Sequence, residues 1–210
     1  MEKSREELEF TKSANDQTGK SKKNSGDTIV ELTMVALHTA VLCILAPHTL
    51  YLPFSPVGIT LGSFFLYLTG LLLGPKLACI SVLLYLCMGF VGLPVFSGYT
   101  AGAGVLFGPT GGFLLGYLPC VAVVGAFSGK AGRKKGVALF LTGMIVGTLI
   151  LYVVGTSWFC LFYGDGASLK EAMPVCVLPF LPFDMVKFVL ATVLYKPMLR
   201  LRFVWIDRGR

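Results

Sequence analysis

Pro179-Phe180-Leu181-Pro182-Phe183-Asp184-Met185-Val186-Lys187-Phe188-Val189-Leu190 puts one acid and one base inside an apolar segment of membrane length. On insertion scales a carboxylate or ammonium near the bilayer centre costs about 2.5 to 3.5 kcal/mol, so such charges persist where they are paired or face a cavity. Spaced three apart, the two side chains share one face of a helix, with Cβ atoms about 5 to 6 Å apart. Two readings are open: a mutual salt bridge that ties the helix down, or a polar patch that receives a ligand.

The surrounding chain sets the context. Of 210 residues, 55% are hydrophobic and 14% charged, against about 25% charged in soluble globular proteins; this is the composition of a membrane protein. No acid occurs between Glu31 and Asp165, and the bases in that interval are Lys76 and the run Lys130, Arg133, Lys134 and Lys135. These bases mark loops. The net charge of +7 does not indicate nucleic acid, because the bases are scattered and lack aromatic interleaving. The positive-inside rule accounts for them, and the expected surroundings are membrane lipid.

Residues 1–28 balance six bases against six acids and are expected to form a disordered polar cytoplasmic tail without a secretory signal. Apolar stretches long enough to cross a bilayer are expected near 29–46, 58–74, 77–92, 109–128, 136–158 and 177–199. The transmembrane domain then occupies 29–203, followed by a cytoplasmic tail at 204–210. The breakers are Pro47 to Pro56, Gly74-Pro75-Lys76, Gly92 to Gly108, the basic turn at 129–135 and Gly164-Asp165-Gly166 onward. An even number of spans puts both termini on one side. With that side cytoplasmic, Lys170 is the one base left outside and Lys187 the one within the membrane. Asp184 and Lys187 then sit near the outer end of the sixth span.

Small residues recur every four positions, as in Gly112 and Gly116 or Gly143 and Gly147, the pattern of close helix packing. Ala36 and Ala40 repeat it in the first span, where packing and a docking face for another membrane subunit are both open readings. The six cysteines, Cys43, Cys79, Cys87, Cys120, Cys160 and Cys176, lack metal-ligand spacing and read as small hydrophobes, with Cys160 and Cys176 able to pair across an outer loop. The irregular stretch Gly92 to Gly104 needs water or protein partners for its backbone and can cap an outer cavity. There Phe96 and Tyr99 offer apolar walls with one hydroxyl, beside Ser97, and Gly98 permits close backbone approach.

Enzyme classes find no support. Neither phosphate-cradling glycine motif is present, so ATP-driven work belongs to other polypeptides. One membrane carboxylate does not make an aspartyl protease, and G-x-S-x-G is absent. His38 faces the bundle in a hydrogen-bonded structural role, and His48 is interfacial. No metal site and no cofactor are expected.

Taken together, Phe54-Ser55-Pro56-Val57-Gly58-Ile59-Thr60, Leu71-Leu72-Leu73-Gly74-Pro75-Lys76, Gly92-Leu93-Pro94-Val95-Phe96-Ser97-Gly98, Phe107-Gly108-Pro109-Thr110-Gly111-Gly112-Phe113 and Pro179 to Lys187 resemble the BioY family. These are the biotin-binding S components of energy-coupling-factor (ECF) transporters. The resemblance runs from about residue 30 to 200. It implies an all-α membrane protein of six transmembrane helices of the ECF S-component type, both termini cytoplasmic, multi-pass in the bacterial cytoplasmic membrane.

It further implies biotin as the ligand, and as partners a transmembrane coupling protein and two ATPase subunits that alone handle ATP. Asp184 and Lys187 fall on family ligand positions, and Ala36 and Ala40 on the face that docks the coupling protein. The family motif usually reads Pro-Gly-Asp where this chain has Pro182-Phe183-Asp184, so Phe183 is expected to narrow or re-aim the site. The expected function is high-affinity capture of extracellular biotin for uptake, the alternative being a solitary vitamin carrier that works without the ATPase module. The candidate binding set is Asp184, Lys187, Tyr99, Phe96, Ser97 and Gly98.

Overall fold

The computed structural model describes residues 25–50, 58–128, 136–163 and 177–202. Most of the expected N-terminal tail, the basic run at 130–135, the segment holding Asp165, Lys170 and Cys176, and the tail at 204–210 lie outside the described residues. In chain order the elements are α1 (Ser25–Leu45), β1 (Thr49–Leu50), β2 (Ile59–Thr60), α2 (Gly62–Val91), a 3-10 turn (Ser97–Tyr99), α3 (Ala103–Leu106), α4 (Gly111–Ser128), α5 (Gly136–Tyr163) and α6 (Leu181–Arg202). Helices α1, α2, α4 and α5 are long and apolar enough to cross a membrane. Helix α6 combines an apolar body with Asp184, Lys187, Lys196, Arg200 and Arg202.

Two boundaries differ from expectation. Helix α1 begins at Ser25, so the last residues of the expected tail are helical. The stretch expected to open a span at 58 instead forms strand β2, paired antiparallel with β1 through Thr49 opposite Thr60 and Leu50 opposite Ile59.

Helix α2 covers 30 residues, about 45 Å if straight. It folds back instead. Gly62 lies against Ala46, and Cys43 Sγ lies 3.9 Å from Met88 Sδ. Cys43 and Ala46 are one turn apart, so Gly62 and Met88 are side by side although 26 positions (88 minus 62) separate them. At the opposite end, Gly125 of α4 abuts Gly74 and Pro75. The reversal occurs at Gly74, whose φ of 72° and ψ of 180° leave the helical region. Glycine adopts that left-handed φ without a Cβ penalty. The two expected spans 58–74 and 77–92 are therefore arms of one helical hairpin, with the exposed Lys76 at its turn.

Helices α4 and α5 run antiparallel, zipped by small residues. Gly112 faces Trp158, Gly116 faces Leu151, Gly143 faces Phe127, Gly147 faces Cys120, and Gly155 faces Phe113. At Gly112 an added Cβ would come within 2.2 Å of the Trp158 Cβ, so the helix approach depends on its absence. Leu42, Leu66, Leu71, Val82, Tyr85, Val121 and Val124 form the core between α1, α2 and α4, extended by Phe140 and Met144 of α5. Cys120 is fully buried among them. Thr39 and Ser81 join α1 to α2 with hydroxyls 3.1 Å apart. His38 is buried, its Nδ1 donating to the Met34 carbonyl at 2.8 Å and its ring stacked on Phe65. Helix α6 leans on α2 through Phe188 and Tyr67 and on α5 through Tyr195 and Phe140.

Candidate functional site

The site grows from the first turn of α6. The Asp184 amide donates to the Phe180 carbonyl at 2.8 Å, closing that turn, and Pro182 is tolerated where helix amides lack partners. Three positions apart, Asp184 and Lys187 point the same way. Both are buried, at 6% and 8% exposure, and Lys187 Nζ lies 3.1 Å from Asp184 Oδ1.

Neighbouring helices complete the network. The Tyr152 hydroxyl of α5 donates to Asp184 Oδ2. Lys187 Nζ donates to Ser63 Oγ of α2 at 2.8 Å, and the Ser63 hydroxyl donates in turn to the Thr60 carbonyl at 3.3 Å. The Thr60 hydroxyl lies 3.1 Å from the Tyr117 hydroxyl of α4. One polar chain thus links α5, α6, α2, β2 and α4. Burying two charges costs several kcal/mol each unless attraction and further hydrogen bonds offset it. The tyrosine and serine provide those bonds.

The network borders a cavity of about 60 Å³, room for a few ordered waters. Its apolar walls include Phe113, Leu114, Leu151 and Phe180, and its polar groups are Thr60, Ser63, Ser97, Thr110, Asp184 and Lys187, with Tyr117 and Tyr152 supplying both. A carboxylate offers about four acceptor positions. Lys187 and Tyr152 fill one on each oxygen of Asp184, which leaves acceptor capacity beside the cavity. An ammonium has three donors, and those of Lys187 that are engaged reach Asp184 and Ser63.

Of the residues chosen from sequence, Asp184, Lys187 and Ser97 line this cavity. Gly98 and Tyr99 line a neighbouring groove that Lys187 and Thr60 also border. Phe96 lines neither. Its ring is fully buried in the space that a side chain at Gly89 would fill and meets Tyr85 edge-on, so it packs the wall behind the site. Phe183, one residue before the acid and about 100° around the helix, faces the groove rather than the cavity. Ala36 and Ala40 lie exposed on α1 and line neither space. Sequence reasoning missed Tyr152, Ser63, Tyr117, Thr60 and Thr110, although the last two stand inside stretches singled out above. Among the described residues no cluster of three metal-ligating side chains occurs.

Comparison with known proteins agrees with this architecture. The profile of the BioY family matches residues 16–203. The chain is 35% identical to the probable biotin transporter BioY of Pyrococcus horikoshii, over 78% of this chain and 93% of that protein. It is 34% identical to the biotin transporter BioY of Thermotoga maritima, over 75% and 88% respectively. Among solved structures it matches the S-component for biotin from an ECF-type ABC transporter, with a TM-score of 0.76 and 28% identity over 84% of this chain and 94% of that one. With nearly its whole length matched, and with curated relatives aligned over most of their own, the chain belongs to the BioY family.

Proposed function

We propose that this chain is a biotin uptake protein, not an enzyme, that captures extracellular biotin beside Asp184 and Lys187. It delivers the vitamin inward as the membrane subunit of an ECF transporter, with ATP handled by partner subunits. The observation that carries the reading is the buried pair itself, which retains unfilled hydrogen-bonding capacity at the edge of a cavity. Biotin brings two ureido N–H donors and a carbonyl on an apolar ring, and fits a site that joins a carboxylate and an ammonium to aromatic walls. The relatives named as biotin transporters point to the same ligand.

The reading includes six membrane crossings with both termini in the cytoplasm of a bacterial cell. Counting the arms of α2 separately and adding α6 to α1, α4 and α5 brings the crossings to six. The Gly74 turn with Lys76, the helix ends Ser128 and Gly136 flanking the basic run, and the Lys196 to Arg200 end of α6 share one end of the bundle. That clustering of bases supports a cytoplasmic position for this end. The charged pair lies toward the other end, with the β1–β2 pair. On this reading Ala36 and Ala40 form the docking face for the coupling protein, and both are exposed.

The test is uptake of labelled biotin into vesicles carrying this chain, with and without a coupling protein, two ATPases and ATP. Sustained uptake is expected with the full set. Equal uptake by the chain alone identifies a solitary carrier, and absence of biotin binding discards the reading.

A further inference from the structure

Helices α5 and α6 touch at two levels and part between them. At one level Tyr152 meets Phe180 and bonds to Asp184, and at the other Phe140 packs on Tyr195. Between these contacts lies a crevice of about 600 Å³, bounded on α5 from Leu141 to Tyr152 and on α6 from Leu181 to Val193. At 1.5 Å per residue it is about 16 to 18 Å long. That is close to the depth of one leaflet's hydrocarbon, half of a core about 30 Å thick. The hydroxyls of the crevice are already engaged: Thr148 bonds to Tyr67 at 2.7 Å, Thr192 donates to the Phe188 carbonyl at 2.7 Å, and Tyr152 donates to Asp184. The wall between them is apolar, and its Leu149, Met185, Val189 and Val193 are each more than half exposed. An occupant that matches this wall is a hydrocarbon.

The same face of α6 changes character past the crevice. Lys196 and Arg200 follow Val189 by 7 and 11 positions (196 minus 189, 200 minus 189), which at about 100° per residue puts both within about 20° of it around the helix. They continue the stripe that lines the crevice, about one and two turns beyond Val193. Both are exposed, and neither pairs with an acid among the described residues. In the sequence Lys134 and Lys135 directly precede Gly136, where α5 begins at this end. A slot of one leaflet's depth that leads to two unpaired bases is complementary to a lipid with an anionic headgroup, since each base near the membrane surface is worth about 1 kcal/mol toward such lipids.

We propose that the crevice between α5 and α6 binds one anionic phospholipid from the leaflet at the basic end of the bundle, with an acyl chain in the slot and the phosphate on Lys196 and Arg200. The chain fills the length over which the two helices leave a gap, and so joins α5 to α6. Tyr152 and Asp184 wall the inner end of the slot, so the tip of the chain shields their hydrogen bond from the membrane side. This site is independent of which ligand occupies the polar cavity.

Native mass spectrometry of the purified chain, offered equal amounts of dioleoyl phosphatidylglycerol and dioleoyl phosphatidylcholine, tests this. The comparison includes a Lys196→Gln, Arg200→Gln double variant, Val189→Trp, and Lys76→Gln as a control at the same end of the bundle. The wild type is expected to retain one phosphatidylglycerol in preference to phosphatidylcholine by about 10-fold. Replacing the two exposed bases is expected to bring the preference within about 2-fold, and Lys76→Gln to leave it unchanged. Val189→Trp sets an indole into the slot and is expected to lower retention of both lipids by about 10-fold or more. Equal retention of the two lipids by the wild type, a preference that survives the double replacement, or one that Lys76→Gln abolishes as well, overturns the proposal. So does retention unaltered by Val189→Trp. A lipid-free dimer that Val189→Trp breaks also overturns it, by placing a second copy of the chain in the slot.

Discussion

The alignment of the Asp184 carboxylate depends on two hydroxyls that carry no charge themselves. Tyr152 donates to one oxygen of the acid, and Ser63 holds the ammonium that bonds to the other. Tyr152→Phe keeps the aromatic wall and removes one donor, so biotin affinity is expected to fall about 10-fold in titration calorimetry, near 1.4 kcal/mol. Ser63→Ala leaves Lys187 its bond to Asp184 and is expected to cost less. Unaltered affinity in both would mean that the ion pair is positioned by Lys187 alone. That Asp184 and Lys187 are buried side by side was legible in the sequence, because charge in oil has few explanations. Ser63 and Tyr152 were not, since hydroxyl-bearing residues satisfy themselves within helices or cross them freely and leave no periodic signature. Phe96 shows the converse: its place in an irregular loop suggested a ligand wall, but Gly89 leaves a socket beneath it and the ring fills the core.

At the scale of elements, glycines decide how closely helices approach. An added Cβ at Gly125 would lie 2.6 Å from the Pro75 nitrogen, a backbone atom that cannot swing aside. Gly125→Leu is therefore expected to separate α4 from the turn of the α2 hairpin and lower the thermal midpoint in detergent. Gly104→Ala, with nothing within 4 Å of the new carbon, is expected to leave it unchanged and serves as the control. Gly74→Ala meets no clash but forces alanine to φ 72° and ψ 180°, a region essentially confined to glycine, at a cost of about 1 to 3 kcal/mol.

Helix positions were legible to within a few residues because apolar length and breakers mark them. The single-residue reversal at Gly74 was legible too, as a Gly-Pro-Lys break. The strand pair was not, since two-residue strands are too short for any alternation to register.

For the molecule as a whole, the bundle separates two jobs. On the proposed reading, ligand chemistry lies at the end of the bundle with the strand pair, while Ala36 and Ala40 lie exposed on α1. Ala36→Trp is accordingly expected to leave biotin binding intact while abolishing co-purification with a coupling protein and ATP-dependent uptake. Loss of binding as well would place α1 within the site's framework. Membrane class followed from composition, but the ligand's identity came from the order of five motifs rather than from any single residue.

The most direct test of the central claim is equilibrium binding of labelled biotin to the purified chain in lipid nanodiscs, comparing wild type with Asp184→Asn. The amide keeps the size of the side chain but loses its charge and half its acceptor oxygens. The account predicts saturable binding by the wild type and a loss of about 30-fold or more in the variant, about 2 kcal/mol. Equal affinity in the two proteins would contradict it.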